Sequence, residues 1–174
     1  MEEKKETVSI SGVISKEMFQ KYMAYHVNEE NKYTFPIVLT AFFLCLWFVA
    51  NINRFVSLIG TLLLGGFAML LISVLIKLRA TKEYKSDRQI MGEIFLAFSE
   101  DGIQQKRHKS EAFWEWNDVL TINEKKEMFL FYVSKNRAVL LPKNFMVNHE
   151  MIKLRKIIHN NALTQKVKLL EEAV

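Results

Sequence analysis

Two stretches of the chain, residues 33–53 and 55–76, contain no Asp, Glu, Lys or Arg. At about 1.5 Å per residue the second would be about 33 Å long as a helix, enough for a hydrocarbon core of about 30 Å, and the first is similar. The segment "SLIGTLLLGGFAMLLISVLI" is apolar on every helical face, which argues against a helix inside a water-soluble domain. Both stretches therefore read as transmembrane helices, with 35–76 as the membrane segment. The connection "NINR" is short enough to force an antiparallel hairpin. Tyr33 and Trp47 lie near the ends of the first span, where amphipathic aromatics favour the interface. A cleaved signal peptide fits poorly, because the apolar run starts only at Phe35 and no small-x-small site follows it.

On either side of this segment the pattern is that of a folded domain. "TVSISGV", Thr7 to Val13, alternates Val8 and Ile10 with serines and reads as a strand ending near Gly12. Ser15 is placed to cap a helix with Met18, Phe19, Tyr22 and Met23 on one face, so residues 1–34 form a strand and a helix. Within 77–174 a basic helical connector runs from Lys77 to about Arg88. Five strand-like runs follow, "GEIFLAFS", "IQQKRHK", "EAFWEWNDVLTINE", "MFLFYVS" and "AVLLP", separated by charged or glycine-containing turns. They predict an antiparallel meander or small barrel. Pro142 ends the last run because it cannot donate to a ladder. Asn148 suits an N-cap, and Met151, Leu154 and Ile158 share a helical face. Leu163, Val167 and Leu170 keep a similar spacing, so the helix continues or restarts toward Val174.

A lone N-terminal strand is not stable, so its partners must come from the segment after the membrane. The expected fold is α+β: a transmembrane hairpin inserted in a small antiparallel sheet or barrel, capped by the C-terminal helix. Ser57, Thr61 and Gly65 recur every four residues along the second span, and Ala41 and Cys45 have the same spacing in the first. Such stripes let helices approach closely, within the hairpin or in a homodimer. Spans without an acid or a base argue against a pore or a transporter.

Charge sets the orientation. Lys21 and Lys32 precede the first span, Lys77, Arg79, Lys82, Lys85 and Arg88 follow the second, and the loop has only Arg54, which places both termini in the cytoplasm of a two-pass plasma-membrane protein. Residues 77–174 carry 18 Lys and Arg against 13 Asp and Glu. That surface tolerates anionic membrane lipids, but the excess is too weak to argue for nucleic acid. Cys45, the one cysteine, excludes an internal disulfide and a cysteine metal cluster. His26, His108, His149 and His159 fall on separate elements, and His149 lacks a second histidine four residues on. Phosphate loops and nucleophile elbows are also missing. No catalytic residue, metal ligand or cofactor is expected, and the chain reads as a non-enzyme.

The order "EDGI", "WNDV", "FLFYVSKNRAVLLPKNFM" and a terminal helix resembles the YcxB-like family of bacterial membrane proteins. The positions that carry the resemblance are Trp116, Asp118 and Val119, then Ala138, Pro142, Lys143 and Phe145. It implies a soluble part similar to a pleckstrin-homology (PH) fold and a membrane address, and it brings no catalytic residues. Alternation sends Trp114 and Trp116 of "FWEWNDV" to one face and Phe113, Glu115 and Asn117 to the other. Trp116 is expected inside, near Phe131, Leu140 or the terminal helix, with Trp114 beside it or at the rim, and Asp118 fixing a turn. The cluster Lys106, Arg107, His108 and Lys109, on a hairpin tip, would meet lipid phosphates at about 1 kcal/mol per cation. A solvated turn is the alternative, and Glu111 offsets part of the field. The functional expectation is a membrane-anchored PH-like binding module at the inner face, taking a protein partner or lipid head groups. The alternative is immunity to a bacteriocin or toxin, a role served by some small membrane proteins with similar soluble parts.

Overall fold

The computed structural model of the chain describes residues 7–30, 32–49, 53–87, 90–163 and 166–170. Asn51 and Ile52 of the expected loop, Arg88 of the connector and the residues after Leu170 lie outside them. Contacts divide the chain into two units, Met1–Ser15 with Arg88–Val174, and Lys16–Asp87. The divisions fall at the ends of the helical insertion, not at 34/35 and 76/77, because the expected N-terminal helix and basic connector pack on each other.

In the first unit, β1 (Val8–Val13), β2 (Glu93–Phe98), β3 (Gly102–Arg107) and β4 (Ser110–Glu115) form an antiparallel sheet in that order. Its alternation buries Val8, Ile10, Ile94, Leu96, Phe98 and Ile103 on one face. A second sheet has the order β7 (Arg137–Pro142), β6 (Met128–Ser134), β5 (Thr121–Glu124), β8 (Val167–Lys168). The rings of Phe98 and Phe131, 5.1 Å apart, join the sheets. Helix α4 (Asn148–Asn161) buries Leu154, Ile157 and Ile158, each worth about 1.5–3 kcal/mol. Ahead of it, the Phe145 ring occupies the space that a Cβ at Gly12 would need.

Three sequence expectations are corrected. "EAFWEWNDVLTINE" is not one strand: β4 ends at Glu115, residues 116–118 turn, and β5 enters the other sheet. Asn148 is the first helical residue and Val147 holds the N-cap position. There the backbone N–H of Val147 donates to the Glu150 carboxylate at 3.0 Å, so the helix is capped from within. Among the described residues of the tail, no α-helix follows α4. Val167 and Lys168 pair in parallel with Ile122 and Asn123, and extended backbone satisfies the edge of β5.

In the second unit, α1 (Lys16–Glu30) packs against the C-terminal part of α3 (Arg54–Ser86). Phe19 and Tyr84 have ring centroids 6.0 Å apart, and Gln20 Nε2 donates to Thr81 Oγ1 at 2.8 Å. Helix α2 (Thr34–Leu44) continues as a π-helical turn, Cys45–Val49. Asn53 starts α3 by accepting the Phe55 N–H at 3.0 Å. Among the described residues α3 is the one helix long and apolar enough by itself to cross a membrane, with mean hydropathy 2.5 over its most apolar 18 residues. Ser57, Thr61, Gly65 and Ala80 are its buried small residues, and Leu39 of α2 is seated where a Gly65 Cβ would be. Ala41 and Cys45 are exposed and lie away from this contact.

Gly102 opens β3 at φ +151°, and a Cβ there would lie 2.1 Å from the Trp114 carbonyl oxygen. Gly102→Ala is therefore expected to cost at least about 1–3 kcal/mol, read as a lower midpoint of thermal unfolding of the full chain in detergent. An unchanged midpoint would show that the β3–β4 pairing does not need glycine.

Candidate functional site

The β3–β4 hairpin carries the basic cluster. Its register runs from Gly102 opposite Glu115 to Arg107 opposite Ser110, leaving His108 and Lys109 as a two-residue turn. Arg107 also lies opposite Ile94, near the start of β2, and the neighbouring pair on β1 is Val13 with Glu93. The turn therefore lies at the end of the sheet where the chain leaves β1 for the helices and returns into β2. Lys106 points to the outer face, 3.1 Å from Glu111, which also accepts Gln104 Nε2 at 2.6 Å. With its amide oxygen toward the guanidinium, Gln105 accepts Arg107 Nε at 2.8 Å and Nη2 at 3.0 Å. Glu111 and Gln105 thus hold two of the cations in place, while His108 and Lys109 are exposed.

The opening of the β4–β5 link is structural. Trp116 is 5% exposed and its indole N–H donates to the Ser99 carbonyl at 2.9 Å. That bond ties the link to the β2–β3 turn, whose Ser99 N–H donates to Gly102 O at 3.0 Å. Trp114, opposite Ile103, is half-buried at the rim. Asp118 closes the turn twice: its Oδ2 accepts the Glu115 N–H at 3.2 Å, and its own N–H donates to Glu115 O at 3.0 Å. Val119 is buried. On the outer face of the same sheet Phe95 and Phe113 remain exposed.

Sequence reasoning missed a buried charge cluster. Glu124 of β5 has a fully buried side chain, and its Oε1 accepts Lys143 Nζ at 2.5 Å and Arg155 Nη2 at 2.6 Å. Its Oε2 accepts the Leu170 N–H at 3.3 Å, and Lys143 lies over the Phe129 ring. One carboxylate thus joins β5, the 3₁₀ turn Lys143–Phe145, α4 and the tail. Lys143 was visible in the sequence as a motif position, but Lys143 and Arg155 lie 19 and 31 residues from Glu124 along the chain, too far for any spacing rule. Burial pushes the Glu124 carboxyl up, and the hydrogen bonds and charges of Arg155 and Lys143 outweigh it, so the acid is held below its ordinary value.

These parts define a class: a two-sheet β domain closed by a helix and interrupted by a helical insertion with a membrane-length apolar helix. Residues 98–158, which hold the basic turn, Trp116 and the Glu124 cluster, match the family model "YcxB-like protein". The chain is also 22% identical over 118 residues to a Bacillus subtilis (strain 168) protein described as "Uncharacterized protein YcxB". That match covers 67% of the chain and 64% of the relative's length. No solved structure matches the chain. Residues 98–158 are thus similar to the YcxB-like family, and the likeness to the Bacillus subtilis protein extends over two thirds of the chain.

A carboxyl with a lowered native value stabilises the fold fully above the ordinary glutamate value of about 4.3, and that stability is lost as pH falls through the lower native value. Glu124→Gln is expected to remove about 3 kcal/mol at neutral pH, because two partly buried cations lose their counter-charge. It is also expected to flatten the dependence of stability on pH below about 4.3. Denaturant titrations of both proteins at neutral and acidic pH check this, and a variant as stable and as acid-sensitive as the parent contradicts it.

Proposed function

We propose that the chain is a two-pass, membrane-anchored binding module at the inner face of a bacterial plasma membrane, with a PH-like soluble unit and no catalytic site. The observation that carries this is the direct pairing of β1 with β2 over six residue pairs. Paired strands lie on one side of a bilayer, so the chain between them crosses an even number of times. If α3 supplies one crossing, the uncharged stretch around α2 supplies the other. Thr34 to Val49 gives about 24 Å of helix, short for the bilayer, and local thinning with the uncharged flanking residues makes up the difference. The positive-inside bias then puts the sheets in the cytoplasm.

On this reading Lys106 to Lys109 face anionic head groups, because the turn shares its end of the sheet with both chain links. An anchored domain needs little affinity of its own, since tethering raises its effective concentration at the surface. A protein partner is the second reading, favoured by Phe95 and Phe113 exposed on the outer sheet face at 40% and 52%.

In nanodiscs of the full chain, hydrogen exchange at residues 106–109 is expected to slow severalfold when anionic lipid replaces zwitterionic lipid, in line with about 1 kcal/mol per cation. The difference should vanish in a Lys106→Glu, Arg107→Glu, Lys109→Glu variant. Equal exchange in both lipids contradicts head-group contact.

A further inference from the structure

The helical unit contains a second polar feature, separate from the basic turn. Helices α1 and α3 run antiparallel, with Phe19 beside Tyr84 and Gln20 bonded to Thr81. Between one face of each they leave a groove of about 480 Å³, whose polar lining is Asn28, Lys21, Gln20 and Glu17 from α1 and Ser73 and Lys77 from α3. Ser73 lies inside the uncharged stretch of α3, and Lys77 is the first charged residue beyond it. Along α1, Lys21 and Glu17 follow Asn28 at about 10 Å and about 16 Å. Moving away from the apolar stretch, the groove therefore offers a hydroxyl and an amide, then two ammonium groups, then an amide and a carboxylate.

A glycerophospholipid standing in a leaflet presents its groups in the same order: ester carbonyls, phosphodiester, terminal head group. The Asn28 amide can donate to the esters, while the Ser73 hydroxyl donates to the Met69 carbonyl at 2.9 Å, and two lysines match one phosphodiester. A carboxylate beyond the phosphate repels a second anion and accepts from an ammonium. The exposed apolar surface of α3 on the membrane side of Ser73, including Met69 and Leu70, gives acyl chains a wall. We propose that this groove binds a phospholipid whose head group ends in a primary amine, with Lys21 and Lys77 on the phosphodiester and Glu17 on the ammonium. The inference rests on the membrane-anchored reading of α3.

The test is native mass spectrometry of the full chain in mild detergent with added phosphatidylethanolamine, phosphatidylglycerol or phosphatidylcholine. The parent protein is expected to retain one phosphatidylethanolamine per chain, about tenfold in preference to phosphatidylglycerol, as befits hydrogen bonds between charged groups. The double variant Lys21→Gln, Lys77→Gln is expected to lose about tenfold in retention, Lys21→Arg, Lys77→Arg to keep it. Glu17→Gln should still retain phospholipid but without the preference for the amine. Parent-like retention by the glutamine pair, equal loss in the arginine pair, or no amine preference in the parent overturns the groove. Release of the parent from membranes by alkaline carbonate overturns the anchoring beneath it.

Discussion

Strand β1 meets β2 only after an insertion spanning residues 14–92, and most of the architecture depends on that one pairing. Neither segment completes a sheet alone: β1 is a single strand, and β2 needs a neighbour on its outer edge to bury Ile94, Leu96 and Phe98. Closing so long a loop would be costly in entropy for a flexible chain, but cost grows only slowly with length. Here the described part of the insertion is itself packed, because Phe19, Tyr22 and Met23 of α1 are buried in a unit that packs α1 on α3. The pairing brings the two links to the helices to neighbouring positions at one sheet end, and with them the His108–Lys109 turn. On the membrane-anchored reading proposed above it also fixes the parity of crossings, which is why a single long apolar helix supports a two-pass reading.

The other half of the domain is held by charge as much as by packing. Strand β5 is buried along Ile122, Asn123 and Glu124, and an acid in that position would be unfavourable without partners. Lys143 and Arg155 supply them from elements on either side of Met146. The same carboxylate holds the tail through Leu170, so the strand, the helix and the C-terminal segment depend on one ionised group. Trp116 plays a comparable part between the sheets, with its ring buried and its N–H spent on Ser99. The residues that carry the family resemblance are thus mostly ones that hold the fold together.

Much of this could be read along the chain, because alternation in β1 and β2, the continuous apolar run of β6 and the apolar face of α4 are local patterns. The insertion followed from a strand without neighbours. Asp118 was read as fixing a turn, but the end of β4 ahead of Trp116 was not legible, since no Gly or Pro marks it and the turn is made by hydrogen bonds between Asp118 and Glu115. Leu163, Val167 and Leu170 in the tail have helical spacing, but the open edge of β5 takes Val167 and Lys168 as a strand. Helix contact was misjudged by pairing small residues with small ones: Gly65 receives the large Leu39 instead, while Ala41 and Cys45 face away. The Glu124 cluster and the α1–α3 groove both join residues far apart in sequence, and no window of residues contains either.

The most direct measurement is the side of the membrane on which each loop lies. In intact cells carrying a Cys45→Ala background, single cysteines would be placed at Asn53, ahead of α3, and at Asn136, in the exposed β6–β7 turn, and treated with an impermeant maleimide. Two-pass anchoring predicts labelling of Asn53→Cys from outside and of Asn136→Cys only after the membrane is opened. Labelling of both positions under the same condition would mean that the apolar helix does not separate them across a bilayer, and the membrane-anchored account would fail.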